Sequence, residues 1–262
     1  MGTPVTQFAR LEDRAAIDVF IVSSNAKLRQ DLHDKLGLPR WNVIQAASDW
    51  EVARVSTAST IGVYGGAAGN PPYREDTPLP MTAGHVIPAF KKIGELLTGY
   101  MASVTGIEVL SYRIGGIWGP LGRPASPIVA APRLVHAAVR GTAPDLSALH
   151  SPAYADDGAD LCYVKDCGRA IALLHLSERL SHRTYNVAAG RATTYGEIAA
   201  AIRKVIPDAQ IELPAGRNPD GPGHDTYLDI TRIHQDTGYQ PAYDADRAVA
   251  DYIGWLRAGN ER

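Results

Sequence analysis

Strand-type and helix-type patterns alternate along this chain, and that alternation limits its fold more than any other feature. Apolar runs of strand type lie at residues 17–22, 52–57 and 107–113. The apolar periodicity predicts helices at residues 91–104, 133–140, 167–180, 195–206 and 246–257. Strands separated by helices favour an α/β layer structure with a mainly parallel sheet.

Local signals refine this prediction. Thr194 and Glu197 have the spacing of a capping box at the start of the fourth helix. Residues 184–188 and 210–213 are typical of two further strands. The helix at residues 91–104 is predicted to bury one stripe of large apolar side chains, namely Ile93, Leu96, Leu97, Tyr100 and Met101.

Composition excludes several classes of protein. The 262 residues are 45% hydrophobic and carry a net charge of −2, which gives no reason to expect a nucleic acid or an anionic membrane as partner. No apolar run reaches the roughly 18 residues that span a bilayer, and residues 1–10 lack a signal-peptide core. Cys162 and Cys167 are too few for a disulfide framework, and the histidines lack metal-ligand spacing. We therefore expect a cytoplasmic protein without a metal site.

Small hydroxyl residues at the end of one predicted strand are the clearest sign of a ligand site. Residues 55–65 read VSTASTIGVYG, and open α/β sheets bind ligands at the carboxyl edge of their strands. Taken alone, such residues more often cap the next turn. Three further motifs follow in order, namely KKIGE at residues 91–95, RIGGIWGP at residues 113–120 and YVKD at residues 163–166.

This ordered set resembles the extended short-chain dehydrogenase/reductase family, the NAD(P)-dependent epimerases and dehydratases of nucleotide sugars. The resemblance runs over residues 18–255. It implies an incomplete Rossmann-like parallel sheet with helices on both faces, plus a smaller C-terminal α/β lobe. Residues 1–121 and 159–190 would form the Rossmann-like domain, and residues 122–158 and 191–262 the substrate lobe.

The resemblance also implies roles for single residues. Thr60 matches the hydroxyl residue that orients the substrate in catalysis, and Lys91 matches the lysine of the catalytic Tyr-x-x-x-Lys pair, which also binds the cofactor. Cofactor contacts are implied for the turn formed by Arg113, Ile114, Gly115 and Gly116. Gly116 and Arg217 would also bind substrate, with Arg217 against nucleotide phosphates. The implied cofactor is NAD or NADP, and the implied ligand is a small molecule of the nucleotide-sugar class.

The catalytic tyrosine of that family is missing here. Ile87 stands four residues before Lys91, and Pro88 stands four residues before Lys92. The chemistry needs a phenol whose pKa is lowered by the neighbouring ammonium, so that it can exchange a proton with the substrate. His85 and Tyr64 are the nearest substitutes, although such residues are more often structural. We expect catalysis to be impaired or absent.

The glycine-rich opening of the family has no counterpart either. Residues 17–23 match its fourth strand and residues 42–47 the helix after it, and only sixteen residues precede Ile17. The glycine cluster at residues 62–69 leads into Asn70-Pro71-Pro72, which predicts a turn and not a helix start. No acidic residue can be assigned to the end of a second strand, so the sequence does not distinguish NAD from NADP as the cofactor. Ala159 and Gly116 stand where the family commonly has arginine and asparagine.

Three hypotheses remain open at this point. The chain is an enzyme of the epimerase/dehydratase class, a non-catalytic relative that binds a ligand or a partner, or an N-terminally shortened gene product. We expect residues 1–60 or a second chain to cover the strand edge that the missing segment would cover. The resemblance favours a homodimer formed through the helices at residues 42–49 and 91–104.

Overall fold

A computed structural model describes residues 18–21, 47–122 and 126–260. Its main sheet has four parallel strands, β1 (Asp18–Ile21), β2 (Arg54–Thr60), β3 (Glu108–Ile114) and β5 (Thr184–Val187), in the order β1-β2-β3-β5. Thr60 pairs with Ile114, which pairs with Val187, so three strands end at one carboxyl edge. Two short strands, β4 (Gly158–Ala159) and β6 (Thr193–Thr194), pair antiparallel in a second sheet. The predicted α/β class with a parallel sheet is confirmed.

Six helices and one 3₁₀ helix lie in the described residues, in addition to the helical residues 47–49. The helices are α1 (Val86–Thr105), α2 (Ala131–Arg140), α3 (Val164–Leu176), α4 (Tyr195–Val205), α5 (Thr231–Thr237) and α6 (Ala245–Arg257), and the 3₁₀ helix is Ile61–Tyr64. The predicted capping box of α4 is confirmed, because Thr194 Oγ1 accepts from Glu197 N at 3.1 Å while Glu197 Oε2 accepts from Thr194 N at 2.7 Å.

Several predicted boundaries were wrong by a few residues. β2 begins at Arg54 and not at residue 52, because Val52 N still donates to Ala47 O in the preceding turn. α1 begins five residues early, because His85 caps Ile87 N and a proline is tolerated in the first turn. Helix α3 begins at Val164, three residues before its predicted start, and ends at Leu176, four residues before its predicted end. Residues 210–213 are not a strand, and α5 was not predicted.

The predicted burial of α1 was wrong. Ile93, Leu96, Leu97 and Tyr100 are 48–67% exposed, and of the predicted stripe only Met101 is buried. The side of α1 that packs on the sheet instead consists of Lys91, Gly94, Thr98, Met101 and Ala102. Small side chains allow the helix to approach the strands closely, and its large apolar side chains consequently point away from them.

Separate apolar clusters support the sheet and a group of three helices. Leu110, Tyr185 and Leu174 pack together between the sheet and α3. In the other cluster, α2, α4 and α6 meet around Leu134, Ile202 and Val249. Of residues 1–60, which were expected to cover the strand edge, the structure describes residues 18–21 and 47–60. The helix predicted at residues 42–47 lies outside the described residues except for Ala47.

Candidate active site at the carboxyl edge

Thr60 is the last residue of β2 and lies at the carboxyl edge of the sheet. Its hydroxyl accepts from Gly62 N at 3.2 Å and so caps the 3₁₀ helix. The first turn of α1 packs directly against this turn, since a Cβ built on Gly62 would lie 3.1 Å from Pro88 Cγ. The fold therefore places Thr60 beside the start of α1, as the resemblance implies for a substrate-orienting hydroxyl.

Lys91 lies one helical turn further along α1 and is buried against the sheet. Its ammonium donates to Ala58 O at 2.6 Å, on the strand that ends at Thr60. Ile87, four residues earlier on the same helical face, is half-buried. The first turn of α1, which carries Ile87, and Lys91 thus both lie near the end of β2, and Ile87 is the residue that the resemblance places at the tyrosine position.

Arg113 lies beneath the site and binds other protein groups. Its Nε and Nη2 donate to the Glu95 carboxylate at 3.1 and 2.7 Å, and its Nη1 donates to Tyr64 Oη at 2.9 Å and to Glu75 O at 3.1 Å. Ser59 Oγ also donates to Glu95. This geometry favours a structural role for the guanidinium. Sequence reasoning missed Glu95, although its position four residues after Lys91 places both on one helical face.

The two candidate substitutes for the tyrosine differ in accessibility. The Tyr64 hydroxyl is buried, donates to Asn186 Oδ1 at 2.9 Å and accepts from Arg113. Burial raises its pKa to about 12, although Arg113 acts in the opposite direction. His85 is exposed at the N-terminus of α1, and its Nδ1 accepts from Ile87 N at 3.2 Å.

The turn after β3 is held by internal hydrogen bonds. Gly115 N donates to Val187 O at 3.0 Å and Gly116 N donates to Asp160 O at 2.7 Å. A Cβ on Gly115 would lie 3.0 Å from Asp160 Oδ1, so the close approach of the buried Asp160 requires glycine there. Ile114, the last residue of β3, is buried.

Arg217 lies in the C-terminal lobe and is paired with a carboxylate. Its Nη1 and Nη2 donate to the two oxygens of Asp225 at 2.7 and 2.9 Å. Sequence reasoning did not find this partner, which lies eight residues away across a proline- and glycine-rich loop. A bidentate pair of this kind leaves the guanidinium charge neutralised by its neighbour.

A sequence comparison identifies the family. The sequence model of the NAD dependent epimerase/dehydratase family matches residues 15–188, which include β1, β2, β3, β5, Thr60, Lys91 and the turn after β3, but not Arg217. This chain belongs to that family. No curated protein matches the chain by sequence.

Solved structures share the fold of this epimerase/dehydratase family member. L-threonine 3-dehydrogenase from Trypanosoma brucei aligns with a TM-score of 0.75 and 18% identity, over 92% of this chain and 75% of that one. UDP-glucose 4-epimerase from Thermotoga maritima, solved with UDP-glucose, aligns with a TM-score of 0.72 and 18% identity, over 93% and 78% of the two chains. dTDP-glucose 4,6-dehydratase from Bacillus anthracis, solved with NAD, aligns with a TM-score of 0.68 and 18% identity, over 92% of this chain and 73% of that one. At these identities the likeness establishes the fold.

The described residues do not form a complete NAD(P) site for this family member. The glycine cluster at residues 62–69 leads into the prolines at 71 and 72, and no α-helix starts there to bind a pyrophosphate at its N-terminus. The N–H groups of Gly115 and Gly116 are both used inside the protein. Thr60 and Lys91 are the groups at the edge to which the resemblance assigns a substrate or cofactor hydroxyl, although the Lys91 ammonium already donates to Ala58 O. NAD(P) binding therefore stays a prediction.

The described residues show neither a metal site nor a membrane-spanning helix. No group of histidine, cysteine, aspartate and glutamate side chains there has the geometry of a metal site. In the same part of the chain, no helix combines the length and apolar character needed to cross a membrane.

Proposed function

We propose that this chain is an NAD(P)-dependent epimerase/dehydratase-like protein in which catalysis is impaired. The observation that carries this proposal is Ile87 in the first turn of α1, one turn before the buried Lys91. An aliphatic side chain cannot take or give a proton. Loss of general acid–base catalysis lowers a rate by roughly 10²–10⁴. Tyr64 does not replace the phenol, because both of its hydrogen-bonding partners are buried protein groups.

NAD or NADP and a nucleotide sugar are the ligands that the family resemblance implies for this site. Solved relatives were captured with UDP-glucose and with NAD, so these are the first compounds to test. Lys91 would bind a ribose hydroxyl and Thr60 a substrate hydroxyl. Ile114, Gly115 and Gly116 would line the nicotinamide end of the site.

A specific observation favours a second candidate function, a non-catalytic relative that binds a ligand or a partner. The Lys91 ammonium already donates to Ala58 O, and the turn amides of Gly115 and Gly116 bond to Val187 and Asp160. The groups that would meet a cofactor therefore have internal partners. Cofactor affinity distinguishes the two functions.

The deciding experiment is a fluorescence titration of the wild type, Lys91→Ala and Lys92→Ala with NADH and then NADPH. If Lys91 contacts the cofactor, its loss removes a charge-assisted hydrogen bond and weakens binding about 10- to 150-fold. Lys92→Ala is the matched control, because Lys92 donates to loop carbonyls of Pro80 and Thr82. Unchanged affinity in Lys91→Ala would remove Lys91 from the site. No binding to the wild type at millimolar cofactor would favour the non-catalytic candidate.

Impaired catalysis is tested by restoring the phenol. Ile87→Tyr is expected to raise two rates by about 10², that of C4 epimerisation of UDP-glucose, followed by product analysis, and that of NAD⁺ reduction with L-threonine. Ile87→Phe adds the ring without the hydroxyl and is expected to leave the rate unchanged. Equal rates for the wild type and Ile87→Tyr would contradict impairment at this position.

A homodimer formed through α1 is also part of the proposal. Six large side chains along this helix are 48–60% exposed, namely Val86, Phe90, Ile93, Leu97, Tyr100 and Val104. Their alternating spacing of four and three residues is the pattern of a helix–helix seam. We call this set the α1 seam. In a two-fold dimer, the same seam on both copies would be buried against itself.

A cytoplasmic location belongs to the same proposal. Cys162 and Cys167 are both free and buried, as expected for a protein of a reducing compartment.

A further inference from the structure

The two cysteines of this chain lie where the segment after β4 enters helix α3. Tyr163 is the N-cap of α3, so Cys162 comes immediately before the cap and Cys167 is the fourth helical residue. Side chains at these two positions pack against each other in a hydrophobic staple, which fixes the angle at which a chain enters a helix. The spacing therefore places two thiols in contact across one helical turn.

The contact between the two thiols is buried. Both cysteines belong to the apolar cluster between the sheet and α3, where Cys162 is 0% and Cys167 is 4% exposed. Cys167 N donates to Tyr163 O at 2.9 Å and closes the first turn, and the two thiols share a hydrogen bond. A staple needs only apolar bulk, which valine or leucine would supply. The paired sulfurs therefore offer a chemistry that packing does not require.

The two thiols differ in acidity. The hydrogen bond from Cys162 lowers the pKa of the Cys167 thiol, against the opposing effect of burial. The same hydrogen bond, together with burial, raises the pKa of Cys162. Cys167 also lies in the first turn of a helix, where the N-terminal dipole favours a thiolate. Because the thiolate is the reactive form of cysteine, Cys167 is the attacking sulfur of the pair.

We propose that Cys162 and Cys167 form a redox site that hydrogen peroxide oxidises to a reversible intramolecular disulfide. The Cys167 thiolate attacks one peroxide oxygen, the O–O bond breaks, and the released hydroxide takes up a proton and leaves as water. The sulfur of Cys162 then attacks the resulting sulfenic acid and gives up its proton, the S–O bond breaks, and a second water leaves. Two thiols are thus oxidised to one disulfide, and one peroxide is reduced to two waters.

Burial of both sulfurs limits the oxidant to a small molecule. Hydrogen peroxide is little larger than water, whereas oxidised glutathione has to bring its own disulfide into contact with the attacking sulfur. Cys167, the more exposed of the two, offers only 4% of its surface. The pair is therefore expected to react with peroxide and not with oxidised glutathione. In a reducing compartment such a disulfide is transient, as is typical of redox-sensing pairs.

The pair lies beside the candidate site. Trp118 N donates to Cys162 O at 3.2 Å, and Val164 N donates to Trp118 O at 2.9 Å. Trp118 belongs to the segment that leads out of the turn formed by Gly115 and Gly116. The disulfide would therefore fix the start of α3 covalently next to that segment.

Intact-mass spectrometry after thiol alkylation tests this site, because the chain has two cysteines. The folded wild type is treated with hydrogen peroxide or with oxidised glutathione, catalase removes the peroxide, and N-ethylmaleimide is added in urea. Untreated protein should take up a maleimide on each cysteine, and so should protein treated with oxidised glutathione. Peroxide-treated protein should take up none and weigh about 2 Da less than the reduced chain, and dithiothreitol should restore both thiols.

Two serine variants test the order of attack. Serine leaves a hydroxyl where the removed thiol stood, so the remaining cysteine keeps a hydrogen-bonding neighbour. Cys162→Ser, which retains Cys167, should lose its thiol to peroxide about tenfold faster than Cys167→Ser, which retains Cys162. The same two variants unfolded in urea before the peroxide is added are the control, and they should react at equal rates.

Several results would overturn the proposal. A wild type that still takes up a maleimide on each cysteine after peroxide has no such redox site, and a gain in mass from added oxygen would show separate oxidation of the two thiols. Equal rates for the two folded serine variants would contradict attack by Cys167, and a glutathione adduct would contradict a site open only to small oxidants. Every readout uses the protein without cofactor or substrate, so the NADH titration of the proposed function succeeds or fails separately.

Discussion

Asp160 is a buried carboxyl whose oxygens accept from Ala189 N at 2.7 Å and Leu228 N at 3.1 Å. Burial raises its pKa from 3.8 to about 6 against the lowering effect of these hydrogen bonds. The folded state therefore binds the proton more tightly than the unfolded state does. The resulting stabilisation is complete below about pH 4 and is lost as the pH rises through 6, by about 3 kcal/mol for a shift of about two units.

Chemical denaturation of the wild type and Asp160→Asn between pH 4 and 7 measures this effect. The free energy of unfolding of the wild type, relative to that of the variant, should fall by about 3 kcal/mol as the pH rises. Parallel pH profiles for the two proteins would show that Asp160 does not titrate in this range. Asp246→Asn, which changes an exposed carboxylate, provides the control profile.

The Glu95–Arg113 pair is a buried ion pair that joins α1 to β3. Both side chains are at most 12% exposed. Glu95→Gln should destabilise the fold by about 3–5 kcal/mol, because it leaves the Arg113 guanidinium buried without its counter-charge. The double variant Glu95→Gln/Arg113→Met should cost less than the two single changes added together.

Urea unfolding of the wild type, the two single variants and the double variant measures this coupling. Strictly additive costs would contradict the buried pair. The exposed pair between Lys204 and Asp246 is the comparison, since breaking it should cost less than about 1 kcal/mol.

The motifs indicated which residues belong to the candidate site, but they did not indicate which other side chains those residues contact. The resemblance to the family's motifs pointed to Thr60, Lys91 and Arg113, and the fold brings the first two to the end of β2. The role of Arg113 depends on Glu95, which lies eighteen residues earlier and meets it only when α1 packs beside β3. Such partners follow from tertiary packing, which no local spacing encodes.

At the scale of elements, the capping box of α4 gives a direct test of a sequence signal. Thr194→Ala should reduce the free energy of unfolding by about 1 kcal/mol, because Glu197 N loses its side-chain acceptor. Thr194→Ser retains the hydroxyl and should cost clearly less. A serine variant as unstable as the alanine variant in thermal or urea unfolding would show that the methyl group, and not the cap, stabilises this turn.

The sequence of helix α1 did not reveal which of its faces packs against the sheet. Apolar periodicity predicted a helix in the right place, since that signal depends only on neighbours along the chain. It assigned the wrong face to the core, because periodicity does not specify what each face meets. Gly94, Thr98 and the ion-paired Glu95 lie on the side of α1 that packs against the sheet, and the large apolar side chains of the helix are exposed.

At the scale of the whole molecule, the alternation of strands and helices was enough to predict the parallel sheet. In the order β1-β2-β3-β5, strands that follow one another along the chain lie side by side, apart from β4, which belongs to the second sheet. The contact between residues 153–160 and residues 214–229 could not be predicted in the same way. The two segments are more than fifty residues apart in the sequence, and they meet through hydrogen bonds such as Ala155 N to Pro214 O at 2.8 Å and Gly158 N to Asp225 Oδ1 at 2.8 Å.

The exposed α1 seam predicts that the whole protein is a homodimer. Light scattering of the wild type should give twice the mass of one chain, because the exposed seam is long enough to pair with its copy over five helical turns. Ile93→Glu/Leu97→Glu should give the mass of one chain, since a two-fold interface places each added carboxylate in the contact twice. Leu176→Glu changes an apolar residue of α3 that is 80% exposed, and it should remain dimeric. A monomeric wild type would contradict the homodimer, and a dimer that survives both seam substitutions would place the interface on another surface.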